Sequence, residues 1–587
     1  MVGLVTTQGD EAMRADVARQ TFGVDGTGIT IGVLSTSFDL LGTASDDVAN
    51  GDLPANVNVL AEAPPEFADL FGPATDEGRA MLQLIHDVAP GANLLFHTAV
   101  SSEAATSPLE FDRASAQAFA DGIRALAAAG ANIIVDDIGF ASNPFFQDGI
   151  VAQAVNEVVA QGVLYFSSAA NGFRNSYESA FNPSGVFDSR FGGELHDFDL
   201  GLGVDTTQSI TLPINAPFGI AFQWDSPFFS LNPNSGGSPN DLDIFLLDSS
   251  GNIVASSTES NVGGDPVEFL NFINDGSYGS DQFNLAITLR EGAAPSLMKY
   301  IDPQTIATID EYDTASSTVF GHANAAGAFA VGAAAFYETP AFGVDPANLE
   351  EFSSVGGTPI LFDTNGDRLP CPETRRQPRI VGPDRGNTTF FGRDSSQDAD
   401  TFPNFGGTSA AAPHIAAVAA LILQANPNLN PSEVYSILEQ TALDMDDPGT
   451  PGFDQGYDFA TGYGFVQADR AVELALAQNP CSTSEDALLA GANNGILVGD
   501  TTDDPLHNGG SHDQYIYNSL SDGTEAITNF NSADDQSVLT SLFDSLGYSC
   551  DDLICDRYLH QVQLGADTQV QIDPSHYGCE SFSPVLI

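Results

Sequence analysis

Two hydrophobic rhythms alternate along the first 185 residues. Short apolar runs such as "GITIGVLS" (28–35), "ANLLFHTAV" (92–100), "ANIIVDD" (131–137) and "VLYFSSAAN" (163–171) read as strands buried on both faces. Between them, "GRAMLQLIHDVA", "SAQAFADGIRALAAAG" and "DGIVAQAVNEVVAQG" repeat apolar residues every three to four positions, the spacing of a helix face. Strand–helix alternation of this kind predicts a parallel sheet with helices on both faces. The texture resumes near Ser316 with "GAFAVGAAAF" and runs through the helical stretches "PHIAAVAALILQA", "PSEVYSILEQTA" and "DRAVELALA" to about Ala477.

The intervening stretch follows another rule. "QSITLPI", "GIAFQWD", "DLDIFLLDSSGNIVASS" and "FNLAITLR" are short β runs punctuated by Gly, Pro, Asn and Ser. They predict a β-sandwich inserted into the α/β domain. The expected organisation is an α/β domain in two parts, 1–188 and 315–478, an inserted sandwich at 189–314, and a mostly β C-terminal module at 479–587. In that module "GILVGDTTDDPLHNGGSHDQYIY" (495–517) carries a nine-residue period: Gly495, Asp504 and Asp513, and likewise Leu497, Leu506 and Tyr515. This fits the calcium β-roll template with eroded glycines, and makes Asp504 and Asp513 candidate metal ligands.

Charge narrows the partners. Seventy-nine acidic residues against seventeen Lys plus Arg give a net charge of −62, and Lys299 is the only lysine. Such a chain repels nucleic acid and anionic membranes. It also suits a calcium-rich or saline exterior, or an acidic proteome. No apolar run suggests membrane insertion. The first twenty residues hold no basic segment followed by an apolar core, so no signal peptide is visible. Five cysteines, four of them beyond residue 480, show no zinc spacing.

Candidate chemistry centres on "FGGTSAAAPHIAAVAALIL" (405–423), where a glycine-tight turn presents Ser409 at the mouth of a small-residue helix. Unsatisfied N–H groups and the positive end of the helix dipole lie there, able to stabilise an oxyanion. Gly407, Thr408, Ser409, Pro413 and His414 together resemble the subtilase nucleophile motif, and "FSSVGG" (352–357), "GYGFVQADRAV" (462–472) and "SSAANG" (167–172) extend the resemblance over roughly 26–188 and 315–477. It implies a subtilisin-like fold, protein or peptide substrates, no organic cofactor, and Asn171 as the side-chain donor of the oxyanion hole.

Two positions depart from the subtilase pattern. Ser35 in "GVLSTSFD" stands where the family's Asp ends the first strand, and Glu77 precedes Gly78 where a His opens the next helix. Glu77 shares a helical stripe with Met81, Leu84 and Val88 and so points toward the core, whereas Arg79, Gln83 and His86 point away. An inward carboxylate at the head of a core helix is unusual. Sedolisins resemble this arrangement: they keep the subtilase fold with a Glu in the histidine's place. Their Asp four residues later is Met81 here, and their oxyanion Asp is Asn171. The supporting acid is expected from "NIIVDDIGF", where strand alternation separates Asp136 from Asp137 and gives Asp137 the cleft side; Asp136 and Asp39 are the alternatives.

The expected function is a secreted serine endopeptidase with Ser409 as nucleophile, Glu77 as base, Asp137 as its partner and Asn171 in the oxyanion hole. The alternative is a catalytically degenerate subtilase acting as an extracellular binding or surface protein. Residues 485–575 resemble the C-terminal target region of type I secretion substrates, which implies export by that machinery without an N-terminal signal.

Overall fold

The apolar runs lie side by side in register. β1 (Thr30–Ser35), β2 (Asn58–Ala61), β3 (Asn93–Thr98), β4 (Ile133–Asp136), β5 (Leu164–Ser168), β6 (Phe329–Ala335) and β7 (Ile380–Asp384) form one sheet in the order β2-β3-β1-β4-β5-β6-β7. Every pairing in it is parallel. This computed structural model describes residues 3–64, 75–101, 108–303 and 306–478, together with the backbone of eight short strands between 496 and 586. Parallel strands need cover on both faces, which is why these runs are apolar throughout rather than alternating.

On one face lie α2 (Pro108–Ala128) and α3 (Ile150–Val159), whose Phe119, Ile123, Val151 and Val155 close a core with Leu34, Ile134 and Tyr165. On the other, α1 (Glu77–Val88) packs beside α4 (Thr408–Ala425), which crosses β4 to β7. The alanines of α4 permit this close crossing. Gly382 in β7 has no room for a side chain, because the Ala411 carbonyl oxygen lies 2.9 Å from where its Cβ would sit. By length and composition α4 could span a membrane, contrary to the expectation that no apolar run is long enough. In the fold it is a buried central helix, and helices apolar all round belong in such places.

Strands from Ser176 to Ile309 build two antiparallel sheets facing each other. Ile220, Phe222, Trp224 and Leu270 from one sheet meet Leu242, Ile244, Phe283 and Ile287 from the other in a single core. The first two strands, Ser176–Ser179 and Pro183–Phe187, precede position 189. Lys299 lies fully buried in one sheet, where its ammonium donates to Glu178 (2.9 Å) and Ser317 (3.0 Å). The sole lysine thus serves inside the fold, and the surface charge stays uncompensated. Raising NaCl shortens the Debye length from about 10 Å at 0.1 M to about 3 Å at 1 M. Thermal unfolding followed by circular dichroism is therefore expected to shift upward across that range; a flat or falling midpoint would contradict a fold strained by self-repulsion.

A separate unit comprises Glu473–Ile587. Within it Ile496–Val498, Gln514–Ile516 and Gln536–Val538 pair in parallel, and Leu506–His507 pairs in parallel with Ile527–Thr528 in a second sheet. Leu497 and Tyr515, eighteen residues apart, are register partners, with Leu506 in the other sheet between them. Asp504 and Asp513 lie outside the described residues.

Candidate active site

Ser35, Asp136, Ser168 and Asp384 end β1, β4, β5 and β7, so all four lie along the C-terminal edge of the sheet. In open parallel sheets that edge is where ligands bind, because helix N-termini and irregular loops converge there.

Glu77 is the first residue of α1, and its position is fixed from both sides. Asp76 before it holds a left-handed φ of 51° and is fully buried. Its carboxylate accepts from Ser37 Oγ (2.9 Å), Leu40 N (2.9 Å), Leu41 N (3.0 Å) and Arg79 Nη2 (3.2 Å). After it, Gly78 lies against the Phe96 ring with no space for a Cβ. Arg79, Gln83 and His86 do point away from the sheet, yet all three are buried. Arg79 donates to Phe38 O (2.9 Å) and Thr43 Oγ1 (2.8 Å), pairs with Asp47 and lies 3.8 Å from the centre of the Phe390 ring. Gln83 bonds Thr389. A second layer from 38–47 and 389–390 thus covers the outward face of α1, which helical periodicity within α1 could not reveal. His86 sits at the far end of the helix, about 13 Å along the axis from Glu77 at 1.5 Å per residue.

The half-buried Glu77 carboxyl adjoins that of Asp137. The register explains the meeting. Leu34 pairs with Asp136, so the next residues, Ser35 and Asp137, emerge together at the sheet edge. Asp137 thus places a carboxyl one strand over from Ser35. Both Asp137 oxygens are buried without a hydrogen-bond donor, and a proton shared with Glu77 would satisfy one of them. Burial pushes Glu77 above the usual glutamate range, partly offset by Asp137. Burial first, and then the neighbouring Glu77 charge, push Asp137 well up, with the Ser35 hydroxyl pulling it back.

The alternative acids lie elsewhere. Asp136 is fully buried on the opposite face, where its Oδ1 accepts from Ser167 Oγ (3.1 Å), Ile138 N (3.3 Å) and His322 Nε2 (3.1 Å). Asp39 is exposed and accepts from Ala44 N (2.9 Å), at the start of the helix Ala44–Asn50. His322, 186 residues from its carboxylate partner, gave no sequence signal; only the fold brings the two together.

Ser409 follows Gly407, whose φ of 109° and ψ of 166° suit glycine alone. Asn171 follows Ala170, at a left-handed φ of 72°. Such strain persists only where surrounding contacts enforce it. Asn171 Oδ1 accepts from both Thr408 N (3.1 Å) and Thr408 Oγ1 (3.0 Å), which turns its amide nitrogen away from Thr408. Among the described residues no acceptor claims the Ser409 N–H. His414 of the same motif is structural. It is fully buried, bonded to Thr7 Oγ1 (3.0 Å) and Ala410 O (2.7 Å), and burial pulls it down to about 4, so it stays neutral.

A cavity of about 330 Å³ opens beside these groups, lined by Asp137, Gly139, Phe140, Ser168, Asn171 and Phe320 among others. Elsewhere, Asp447, Asp454 and Asp458 bring three carboxylate oxygens within 4.8 Å of one another. Such donors suit a hard cation, although Arg174 already binds both Asp447 oxygens at 2.7 and 2.6 Å.

Residues 240–464 match the subtilase family, a span that includes Ser409 but not Glu77, Asp137 or Asn171. The chain is 38% identical over 116 residues to a calcium-dependent protease of Trichormus variabilis, covering 20% of this chain and 17% of that protein. It is 40% identical over 73 residues to fervidolysin of Fervidobacterium pennivorans, covering 12% and 9%. The chain thus spans about a sixth or less of these relatives' lengths. The Clostridium perfringens CspB protease structure superposes with a TM-score of 0.50 at 13% identity, over 80% of this chain and 100% of that one. The seven-stranded parallel sheet with helices on both faces is therefore a subtilisin-like fold, and the span that matches the subtilase family holds its last two strands, β6 and β7, and Ser409.

Proposed function

We propose that this chain is a serine endopeptidase in which a carboxyl pair replaces the histidine base. The observation that carries this is the meeting of the Glu77 and Asp137 carboxyls at the sheet edge where α1 and α4 both begin. Ser409 Oγ attacks a peptide carbonyl while Glu77, as carboxylate, takes the hydroxyl proton. Asp137 keeps its own proton and hydrogen-bonds Glu77 through it, which holds the acceptor in place. The carbonyl oxygen becomes an oxyanion held by the Ser409 N–H and Asn171 Nδ2. Glu77 then returns its proton to the departing amine, leaving an acyl-enzyme on Ser409 that water hydrolyses by the same steps in reverse. The 330 Å³ cavity would take a substrate side chain against Phe140 and Phe320.

A fluorophosphonate probe tests the reading. It should label folded protein at mildly acidic pH and not heat-unfolded protein; absence of labelling at any pH would favour a degenerate binding protein. Asn171→Ala is expected to lower kcat by roughly 10²–10³-fold with KM little changed, since the amide meets charge that exists only in the transition state. An equal loss in KM would assign Asn171 to ground-state binding instead.

Export and calcium belong to the same proposal. The parallel strand pairs between 496 and 538 support a roll-like module with Asp504 and Asp513 as ligands, and the calcium-dependent protease among the relatives is consistent with a structural ion. Type I secretion rests on the sequence resemblance of 485–575.

A further inference from the structure

The turn that presents Ser409 is held by a carboxyl that the mechanism above does not use. Asp384, the last residue of β7, is fully buried, and its Oδ2 accepts the Gly407 N–H at 2.8 Å. Its Oδ1 is buried without a partner. Asp384 and Asn171 flank the two glycines before Ser409. A Cβ built on Gly406 would lie 3.7 Å from Asp384 Oδ2, and one built on Gly407 3.5 Å from Asn171 Nδ2.

Burial and Glu350 disfavour the Asp384 charge, whereas Arg385 and the Gly407 N–H favour it. Glu350 lies close enough to repel it, although Glu350 itself pairs with Arg385. Tyr337 lies near both acids, with Glu338 beside it. From α4 comes no charge: its first turn holds no acid, and His414 stays neutral. The helix Gly9–Ala12, also against β7, brings Glu11 and an Asp10 already bound to Arg19. Burial, followed by Glu350, pushes the Asp384 carboxyl up to about 8.

We propose that Asp384 is a positioning residue that holds the Ser409 turn as an uncharged acid, and that loss of its proton disables the nucleophile. Two effects act together. An anion behind Gly406–Gly407 opposes the negative charge forming at Asn171 and the Ser409 N–H. A buried carboxylate with one oxygen unpaired also favours any rearrangement that admits water to the turn. This deepens the serine-peptidase reading and rests on it.

The test compares Asp384→Asn, which keeps an uncharged acceptor for Gly407, with Asp384→Ala. Two readouts are followed from pH 5 to 9: the fluorophosphonate labelling rate, and hydrogen exchange in the peptide 405–412 relative to the asparagine variant. Wild type should lose labelling and gain exchange together as pH rises. Asp384→Asn should move the alkaline midpoint of labelling up by about one pH unit or more, and Asp384→Ala should label slowly at every pH. An alkaline midpoint and exchange pattern unchanged in Asp384→Asn would overturn the proposal. If wild type never labels, the peptidase reading fails, and the exchange comparison alone still decides whether the Asp384 proton holds the turn.

Discussion

Ser409→Ala is expected to lower kcat by roughly 10⁶-fold, to the level that binding and the oxyanion donors alone sustain. The fold should not suffer. Ser409 is only half-buried, alanine is the best helix former, and the turn is set by Gly407, Thr408, Asn171 and Asp384 rather than by the serine hydroxyl. The measurement is peptide hydrolysis beside a thermal melt. An unchanged melting temperature with hydrolysis still roughly 10³–10⁴-fold above the uncatalysed rate is the expected result. Activity retained within tenfold of wild type would remove Ser409 from the chemistry.

Glu77→Gln has the second-largest expected effect, on the order of 10⁴–10⁶-fold in kcat, because an amide cannot accept the serine proton. Here activity and stability should part company. An acid whose folded pKa is raised binds its proton more tightly in the native state than in the unfolded one. Its contribution to stability is therefore fully present below the unfolded value, near pH 4, and is lost as pH rises toward the folded value. Glu77 and Asp137 are both raised in this way by burial. At neutral pH the pair should thus cost stability, and Glu77→Gln should melt at the same temperature or higher. The pH–rate profile follows from the same pair. Two adjoining acids lose protons in two macroscopic steps, and the form with one proton is the competent one. Activity should rise as the first of the two protons leaves, above the ordinary glutamate range. A limb rising only above neutrality and unchanged in Glu77→Gln would exclude the assignment.

How far these residues could be read in advance differs from one to the next. Ser409 announces itself because its chemistry is local: glycine at a left-handed turn, a serine, then a run of helix formers, all within a few positions. Asn171 was legible for the same reason, between the end of a strand and a glycine. Glu77 was legible as an inward stripe, since helical periodicity fixes which side of α1 it occupies. The acid beside it was less so: strand alternation favoured Asp137 and left Asp136 and Asp39 as alternatives. Choosing among them needs the register of β1 against β4, a relation between strands about a hundred residues apart. The buried second layer over Arg79, the His322–Asp136 contact and the Asp384–Gly407 bond were silent for the same reason, since each joins distant segments.

What the sequence determined by itself was therefore periodic or contiguous: strand–helix alternation, the inserted β texture, the nucleophile turn and the sign of the charge. Only the tertiary structure decided which carboxyls lie buried against each other and which one bonds the turn before Ser409. Burial and proximity raise the proton affinity of those acids, and both come into being only when distant strands meet.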